Sequence, residues 1–436
     1  MHILVIEQLR TAKSRYQLFE KILLTSFSLL PTLYARHLKE IIPGNHQVDI
    51  INERYDPVNI SEKYDVVIIH FSTASSYRAY EIADEFRNRG VCVILSGLHA
   101  SAVPNEALHH ADSVLLGRGE GNILDLLDDL HNNSLKKIYP PKSYDSYEIP
   151  QTRINLPGFV MVNAVEASRG CPYQCLFCPE SNTPLGNSFF ARPINEVVNE
   201  IKNIPQKIFM FYDASLTIDA SYTKELFKLM IPLKKHFFCN GNVNVLSKDE
   251  ELVSLSKQAG CIGWLIGFES ISQQTIDAMG KKSNNISNYQ KAVDIIHKYH
   301  MAVIGDFMFG FDTDLPTVFD DTLNVIRKLR IDVADFSILT PFPGTPLFDR
   351  FSNENRILTR DWKKYTMHSV VYEPKHMSPD ELKKGVEKMY AEFYHPLYSL
   401  KRMIRSLQLG MFPFAAVFSR NMIAMIAYQK LLNNSE

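Results

Sequence analysis

Residues 159–178 read Phe-Val-Met-Val-Asn-Ala-Val-Glu-Ala-Ser-Arg-Gly-Cys-Pro-Tyr-Gln-Cys-Leu-Phe-Cys, an apolar strand followed by a loop that carries Cys171, Cys175 and Cys178. Three closely spaced thiolates on one loop can bind three irons of a four-iron cluster and leave the remaining iron open to a substrate or cofactor. Zinc ligands normally come as paired CxxC units that close a tetrahedron, so a zinc site or a chance grouping is the less favoured interpretation. A distant fourth ligand, such as Cys239 or Cys261, stays open.

An alternation of apolar strands and helices continues after this loop. The predicted strands are 159–167, 208–212, 237–240, 263–267, 303–309 and 334–339. Helical patterns lie between them at 193–203, 222–230, 249–259, 286–299 and 317–329. Six such units predict a partial or full (β/α) barrel, in which active-site residues lie where strands end and loops begin.

A similar alternation precedes the loop. Strands are predicted at 2–7, 46–52, 65–70, 91–95 and 112–116, with helices at 32–40, 76–89 and 119–130. Short apolar strands separated by helices predict a doubly wound parallel sheet whose ligand lies at the carboxyl ends of the strands. Polar residues and prolines then interrupt the pattern.

The predicted fold class is therefore α/β, with a doubly wound N-terminal sheet, a (β/α) barrel and a helical C-terminal segment. We expect the sheet domain at 1–130, a linker at 131–150, the barrel at 151–365 and the helical domain at 366–436. Ser378-Pro379-Asp380-Glu381 predicts the start of one C-terminal helix, because a serine cap is followed by acidic residues in the first turn.

Composition excludes some classes of protein. The 47 lysine and arginine residues nearly balance 48 aspartate and glutamate residues, so no overall field favours a nucleic-acid partner. We expect neither a signal peptide at the N-terminus nor a transmembrane helix. Only six cysteines occur, and three of them share one loop; this usage indicates a metal site in a reducing compartment, and we expect a cytoplasmic protein.

The C-terminal residues 397–436 carry five basic residues and one acidic residue, Glu436, among many apolar ones. A basic and apolar segment of this kind could lie peripherally on an anionic membrane surface. The more ordinary interpretation is a helix packed on its own domain. Both interpretations stay open.

The strand, the loop and the CxxxCxxC spacing of the cysteines together resemble the radical S-adenosylmethionine (SAM) superfamily. The resemblance implies that Cys171, Cys175 and Cys178 hold a [4Fe-4S] cluster whose open iron chelates the amino and carboxyl groups of SAM. Reductive cleavage of SAM would then yield a 5′-deoxyadenosyl radical. Phe177 matches the aromatic position beside the adenine, and a core aromatic that shields the cluster is compatible with that role.

Further SAM-binding residues follow from the same resemblance. Asp213 and Ser215 follow the second barrel strand, where the superfamily places groups that hold the SAM ammonium; a helix N-cap or a turn aspartate is the alternative. Glu269 lies in a G-[IF]-E-S-like segment, near the ribose and amine of SAM in the family, and its alternative is a surface position. Asn242, beyond the third strand, and Asp306, inside the fifth, are weaker candidates, and the alternative for each is a structural polar residue.

A proline-rich turn follows the last barrel strand. Residues 340–347 read Thr-Pro-Phe-Pro-Gly-Thr-Pro-Leu and resemble a P-x-P-G-T-P turn of many members. Its prolines predict a rigid loop that shapes the substrate pocket.

The N-terminal series resembles the cobalamin-binding domain fused to radical SAM barrels, in which G-G-x-H-A-S, an A-D-x-V strand and G-E-G-E recur in this order. Two positions depart from that form in residues 96–101 and 117–120, Ser-Gly-Leu-His-Ala-Ser and Gly-Arg-Gly-Glu. The residues assigned to cobalamin are Ser72, Thr73, Gly97, His99, Gly117 and Glu120. Because D-x-H-x-x-G does not occur, His99 is expected to form a hydrogen bond to the corrin or a nearby loop instead of binding cobalt. A degenerate sheet domain that binds nothing is the alternative.

The combined resemblance predicts a cobalamin-dependent radical SAM enzyme, most simply a methyltransferase acting on an unactivated carbon of a small molecule or lipid. The alternative enzyme is a radical cyclase or oxidative rearrangement enzyme without methyl transfer, similar to the anaerobic porphyrin-ring cyclase. A third class, an iron-sulfur redox sensor or scaffold, would not need Asp213 and Glu269 at strand ends. The expected partners are the substrate and an electron donor such as flavodoxin or ferredoxin.

Overall fold

The computed structural model describes residues 1–7, 33–53, 56–151 and 162–433. The chain folds into two compact units. The first comprises Met1–Pro205, Pro341–Asn355 and Thr359–Thr366, and the second comprises Gln206–Thr340, Arg356–Leu358 and Met367–Glu436. The four-part division expected from the sequence stays a prediction.

The strands and helices are numbered in chain order over the described residues. The strands are β1 His2–Glu7, β2 Gln47–Asn52, β3 Val66–His70, β4 Cys92–Ser96, β5 Ser113–Leu115, β6 Ile138–Tyr139, β7 Val162–Val165, β8 Ser168–Arg169, β9 Phe190–Ala191, β10 Ile208–Phe211, β11 His236–Asn240, β12 Cys261–Glu269, β13 Ala302–Phe309 and β14 Val333–Ile338. The helices are α1 Tyr34–Ile41, α2 Ser76–Arg87, α3 Leu98–Ala102, α4 Pro104–Ala107, α5 Ile123–His131, α6 Pro179–Asn182, α7 Ile194–Asn203, α8 Ala220–Met230, α9 Val243–Leu246, α10 Glu250–Ala259, α11 Gln273–Ala278, α12 Tyr289–Lys298, α13 Val318–Leu329, α14 Pro346–Asn353, α15 Pro379–Phe393, α16 Pro396–Ser406 and α17 Met411–Asn433.

A parallel sheet forms the centre of the first unit. Its strand order is β2-β1-β3-β4-β5-β6, and all neighbours pair in parallel. This is a doubly wound order whose switch point lies between β1 and β3. The predicted sheet is confirmed, but β6 lies inside the segment expected to be a linker. Thr32 and residues 159–161, at the ends of a predicted helix and strand, lie outside the described residues.

Strand β1 shows why the strands of this sheet appear in the sequence as runs of apolar residues. Leu4 and Ile6 pack in one buried cluster with Phe86 of α2. Ile3 and Val5 pack in a second cluster on the other face. Successive side chains of a strand point to opposite faces, so a strand covered by helices on both faces is apolar throughout.

The second unit contains the later strand-helix units of the predicted barrel. Strands β10 to β14 pair in parallel with their sequence neighbours, and helices separate them along the chain. The predicted parallel α/β arrangement of this region is confirmed. At each strand's carboxyl end, a loop leads into the following helix or turn, which is where the candidate polar residues lie.

The C-terminal segment is helical, as expected. Ser378 and Glu381 form the predicted cap of α15: the Ser378 hydroxyl accepts from the Glu381 amide at 3.2 Å, and the Glu381 carboxylate accepts from the Ser378 amide at 2.7 Å. The Tyr394 hydroxyl donates to the carbonyl of Ala334 in β14 at 2.7 Å. Within the described ranges, no helix has the length and apolarity needed to cross a membrane.

Candidate active site

The cysteine loop begins at a glycine that no other residue can replace without strain. Gly170 has φ +73°, and a Cβ at this position would lie 2.0 Å from the carbonyl oxygen of Ser188. The adjacent Cys171 amide donates to the carbonyl of Gly186 at 2.8 Å. The backbone therefore turns tightly against residues 186–188 just before the first thiol.

Side-chain and backbone donors hold the rest of the loop. The Asn182 amide group donates to the carbonyls of Cys175 and Cys178 at 3.0 and 2.7 Å. The Leu347 amide donates to the carbonyl of Leu176 at 3.1 Å. Leu347 belongs to the proline-rich turn, so in the first unit this turn contacts the cysteine loop. Its predicted role in shaping a substrate pocket stays a prediction.

The donor set suits an iron-sulfur cluster. The Cys175 side chain is buried, and those of Cys171 and Cys178 are partly buried. Within the described residues, no three His, Cys, Asp or Glu side chains lie close enough to hold one metal ion. Cluster ligands each bind a different iron and need not meet at one point. Soft thiols on a loop without acidic or histidine side chains fit that chemistry.

A buried ionic network lies directly beside the loop. Arg169 bonds to the carboxylate of Glu120, and its Nε donates to Glu166 at 2.8 Å. His37 Nδ1 lies 2.9 Å from Glu120, and Arg118 pairs with Glu166 at 2.8 Å. Burial raises the pKa of Glu120, but the charge of Arg169 and the contact with His37 outweigh burial and leave that pKa well below its usual range. Glu120 is thus ionised and committed to holding Arg169.

The sequence-predicted cobalamin residues Gly97 and Gly117 lie together at the carboxyl edge of the first sheet. Gly97 has φ +107°, and a Cβ there would lie 2.3 Å from the Phe71 carbonyl oxygen. The Ser101 hydroxyl donates to the Gly97 carbonyl at 2.8 Å and accepts from the Gly117 amide at 2.9 Å. The loops after β4 and β5 are therefore joined through one hydroxyl.

Ser72 and Thr73 follow β3 at the same edge. Ser72 is exposed and begins a short 3-10 turn, whereas Thr73 is buried in that turn. The Phe71 amide donates to the carbonyl of Ser96 at 3.1 Å, so this loop lies beside the loop after β4. Small hydroxyl groups and backbone amides at one edge suit a large polar ligand.

His99 is buried in an aromatic cluster of the first unit. Its Nε2 lies 3.2 Å from Glu106, which also accepts from the indole N–H of Trp362 at 3.0 Å and the hydroxyl of Tyr80 at 3.0 Å. Burial raises the pKa of Glu106, but its contacts with His99, Trp362 and Tyr80 lower it overall. His99 therefore contacts Glu106 of helix α4, and its expected hydrogen bond to the corrin or a nearby loop stays a prediction.

In the second unit, the candidate residues after β10 and β11 form one hydrogen-bonded set. The Asn240 side-chain amide donates to the carbonyl of Asp213 at 2.8 Å. Ser215 and Thr217 share a hydrogen bond of 2.9 Å, and the Thr217 hydroxyl accepts from the Asn242 amide at 2.8 Å. Asp213, Ser215 and Asn242, singled out separately, are therefore brought together.

This set clarifies the alternatives for Asp213. The N-cap of the following helix α8 is Asp219, whose carboxylate accepts from the Tyr222 amide at 2.9 Å. The helix-cap interpretation of Asp213 is wrong because the loop runs on for six residues before the helix starts. Two buried side-chain atoms in the set, Asn240 Oδ1 and Asn242 Nδ2, have no hydrogen-bond partner among the described residues. Such atoms at the end of β11, beside the loop after β10, favour a ligand site.

Glu269 adopts a backbone conformation that is costly for a residue other than glycine. Its φ is +62°, and the β12–β13 register shifts between Gly267 and Glu269. The Asn284 amide group donates to the Gly267 carbonyl at 2.8 Å, and the Tyr289 hydroxyl lies 2.8 Å from the Phe268 carbonyl. Left-handed strain of about 1–3 kcal/mol persists only where neighbours fix it, and such positions cluster at functional sites. The carboxylate itself pairs with Lys281.

Glu269 is one of three acidic residues on neighbouring strands, and the other two are Asp306 and Asp335. Asp306 is in register with Asp335 of β14 and with Gly267 of β12. Glu269 pairs with Lys281, and Asp335 pairs with Arg420, which leaves Asp306 without an ion pair among the described residues. Burial raises the pKa of Asp306 to about 8, and the charges of Asp335 and Glu269 add to this effect. Asp306 is therefore largely protonated at neutral pH.

Because the pKa of Asp306 is raised, we expect the free energy of unfolding to depend on pH, and we expect Asp306→Asn to remove that dependence. A carboxyl group whose pKa is about 3.8 unfolded and about 8 folded stabilises the fold fully below its unfolded pKa. That contribution falls as pH rises towards 8, by at most about 1.4 kcal/mol per pH unit. Urea unfolding at several pH values should show this slope in the unchanged protein and should not show it in Asp306→Asn. The exposed Asp320→Asn control should keep it, and equal slopes in all three would contradict the prediction.

Several residues of the candidate site carried no sequence signal. Asn284, Tyr289 and Lys281 fix Glu269 from later segments, and Asn182 holds the cysteine loop. Trp362 contacts Glu106, which lies 256 residues away in the chain. Only spatial neighbours reveal such roles. Phe177, partly buried in the loop, keeps its proposed place beside the adenine as a prediction.

Comparison with known proteins adds independent evidence. Residues 165–337 match the Radical SAM superfamily. The chain is 32% identical over 358 residues to the bacteriochlorophyllide d C-12(1)-methyltransferase of Chlorobaculum tepidum, a match that covers 78% of this chain and 77% of that protein. It is 30% identical to the C-8(2)-methyltransferase of the same organism, covering 82% and 84%.

A solved structure has a similar fold. The radical SAM methyltransferase TsrM from Kitasatospora setae, with cobalamin and a [4Fe-4S] cluster bound, superposes with a TM-score of 0.67 at 14% identity, covering 88% of this chain and 84% of that one. Three observations indicate the same family: the matched domain, the long alignments at 30% identity or more, and the cysteine loop. The chain is therefore a radical SAM enzyme and belongs to the radical SAM superfamily.

Proposed function

We propose that this enzyme transfers a methyl group to an unactivated carbon of a small molecule or lipid, with cobalamin as a second cofactor. One observation carries the proposal: two relatives that are 32% and 30% identical over 78% and 82% of the chain are both methyltransferases of a bacteriochlorophyllide. The similar fold of a methyltransferase solved with cobalamin and the cluster supports the cobalamin part. Bacteriochlorophyllide d is therefore the first substrate to test.

The cofactor sites follow from the residues described above. Cys171, Cys175 and Cys178 would bind three irons of the cluster, with Phe177 beside the adenine of SAM. The residues that we propose to hold the rest of SAM are Asp213, Ser215, Asn242 and Glu269. Asp213 and Glu269 suit the SAM ammonium because carboxylates attract a cation.

Cobalamin would lie at the carboxyl edge of the first sheet. Ser72, Thr73, Gly97 and Gly117 would supply close backbone approach and small hydroxyl groups. His99 and Glu120 would act from inside the protein, since their polar atoms contact Glu106 and Arg169. His99 is then not offered to cobalt, in line with the absence of a D-x-H-x-x-G motif.

The chain's own residues position these groups and limit side reactions. When bound, the cluster and SAM supply a hydrogen-abstracting radical, and cobalamin supplies a methyl group. Asn182 and Gly170 set the path of the cysteine loop, and Glu120 fixes Arg169 beside it. Asn284 and Tyr289 hold the strained backbone of Glu269, so its carboxylate keeps one position. We also propose a flavodoxin- or ferredoxin-type electron donor and a reducing, cytoplasmic setting for the free thiols.

The test uses the full chain, reconstituted anaerobically with iron, sulfide and cobalamin and supplied with a chemical reductant such as dithionite. We expect trideuteromethyl-SAM and bacteriochlorophyllide d to yield 5′-deoxyadenosine, S-adenosylhomocysteine and a product that carries one trideuterated methyl group. Omitting cobalamin should remove the methylated product. A product that loses hydrogen or gains oxygen without the label would instead indicate the cyclase alternative, and absence of SAM cleavage would indicate a sensor or scaffold.

A further inference from the structure

An exposed apolar stripe runs along the C-terminal helices of the second unit. Five large side chains, each more than half exposed, recur with helical spacing on α16, the turn after it and the start of α17: Leu397, Leu400, Ile404, Leu407 and Met411. The opposite side of α16 is buried through Ser399, Met403 and Ser406. The helix is therefore packed on its domain by one face and presents an apolar face outward. A contiguous apolar patch of this kind marks an interaction surface.

The stripe lies at the end of the second unit where the strands begin. The carbonyl of Gln408 lies 3.0 Å from His300 Nδ1, just before β13. Arg405 donates to the carbonyl of Arg330, before β14, at 2.8 Å, and the ring of Phe412 lies 3.7 Å from that of His236 in β11. Asp213, Asn242 and Glu269 follow the carboxyl ends of the same strands. Within this unit, the stripe and the candidate SAM residues are therefore at opposite ends of the strands.

Basic side chains accompany the stripe. Lys207, Lys234 and Lys328 are exposed in the segments that lead into β10, β11 and β14, and Lys401 is exposed on α16. These four lysines form no ion pair within the described part of the chain. The sequence has no acidic residue between Glu392 and Glu436. We call the five apolar residues and these four lysines the basic-apolar face.

We propose that the basic-apolar face docks the enzyme on an anionic lipid membrane. The large aliphatic side chains would enter the boundary between headgroups and acyl chains, and the lysines would attract anionic headgroups. The charge of the face favours a membrane over a second copy of the chain. The face carries four lysines without an ion pair, and α16 and α17 carry no acidic residue, so two copies of the face would repel each other. Because the candidate site lies at the other end of the strands, the face attaches the enzyme to a membrane and does not form part of the substrate pocket.

The test measures binding of the full, anaerobically purified chain to lipid vesicles by co-sedimentation. We expect binding to vesicles of phosphatidylcholine mixed with phosphatidylglycerol, weaker binding to phosphatidylcholine alone, and weaker binding at high salt. Leu400→Ser with Ile404→Ser should reduce binding at least about 100-fold, since each buried aliphatic side chain contributes roughly tenfold or more. Lys207→Gln with Lys234→Gln should reduce it roughly 30-fold on anionic vesicles only.

Matched controls separate this proposal from misfolding and from the proposed function. Leu315→Ser removes an equally exposed leucine at the opposite end of the unit and should bind vesicles like the unchanged chain. The Leu400→Ser/Ile404→Ser variant should keep its far-UV circular dichroism and its rate of SAM cleavage. Unaltered vesicle binding in that variant, absence of binding to anionic vesicles, or a dimer that the same substitutions dissociate would each overturn the proposal. Failure of SAM cleavage in the unchanged protein would affect only the proposed function.

Discussion

Replacement of Cys175 by alanine is expected to give a folded protein that neither retains the cluster nor cleaves SAM. Cys175 is the most buried of the three loop thiols, and its carbonyl is held by Asn182 independently of the sulfur. Loss of the thiolate removes one of three protein ligands while the loop path stays in place. The fall in SAM cleavage should exceed the roughly 10- to 100-fold cost of losing an outer partner of a metal ligand.

Iron content, visible absorbance and 5′-deoxyadenosine formation measure this effect. The control is Cys92→Ala, which removes a partly buried thiol of β4 outside the loop. This control should keep the cluster and full activity. If Cys175→Ala retained four irons per chain and cleaved SAM at the original rate, the assignment of Cys175 as a ligand would be wrong.

The second large effect is expected at Glu120. Glu120→Gln keeps the size of the side chain but removes the negative charge that faces Arg169 and His37 in the protein interior. Among the carboxylates of the described residues, Arg169 then keeps its pair with Glu166, which it shares with Arg118. Breaking a buried pair by neutralising one partner leaves an uncompensated charge, so we expect the free energy of unfolding to fall by about 3–5 kcal/mol.

Urea unfolding followed by far-UV circular dichroism checks this value. The matched control is Glu180→Gln, which removes a carboxylate that pairs with Arg118 at 3.2 Å but is 40% exposed. Exposed pairs contribute about 0–1 kcal/mol, so this control should change stability little. Equal effects of the two substitutions would show that burial of the network is not what makes Glu120 important.

The sequence predicted the parts of this molecule that depend on local pattern. Strand β1 is visible because both of its faces are covered, which makes residues 3–6 continuously apolar. The cysteine loop is visible because its three cysteines lie within eight residues. The two-residue strand β6 is too short to produce a pattern, which is why residues 131–150 read as a linker.

The parts that the sequence did not predict depend on contacts between distant segments. The sequence predicts Glu120 to be part of a cobalamin motif. In the structure its carboxylate contacts Arg169, which lies 49 residues away in the chain. Asp213 and Asp219 are equally plausible helix caps by residue type, and only the position where α8 begins decides between them. The left-handed backbone of Glu269 depends on Asn284 and Tyr289, whose side chains reach it from later in the chain.

The central claim is that three thiolates leave one iron of the cluster open for SAM. Electron paramagnetic resonance of the reduced, anaerobically reconstituted chain tests it directly, with and without added SAM. The account predicts a [4Fe-4S] signal whose g values shift when SAM is added, and loss of that signal in Cys175→Ala. A signal that SAM leaves unchanged, together with a fourth protein side chain on the cluster, would contradict it.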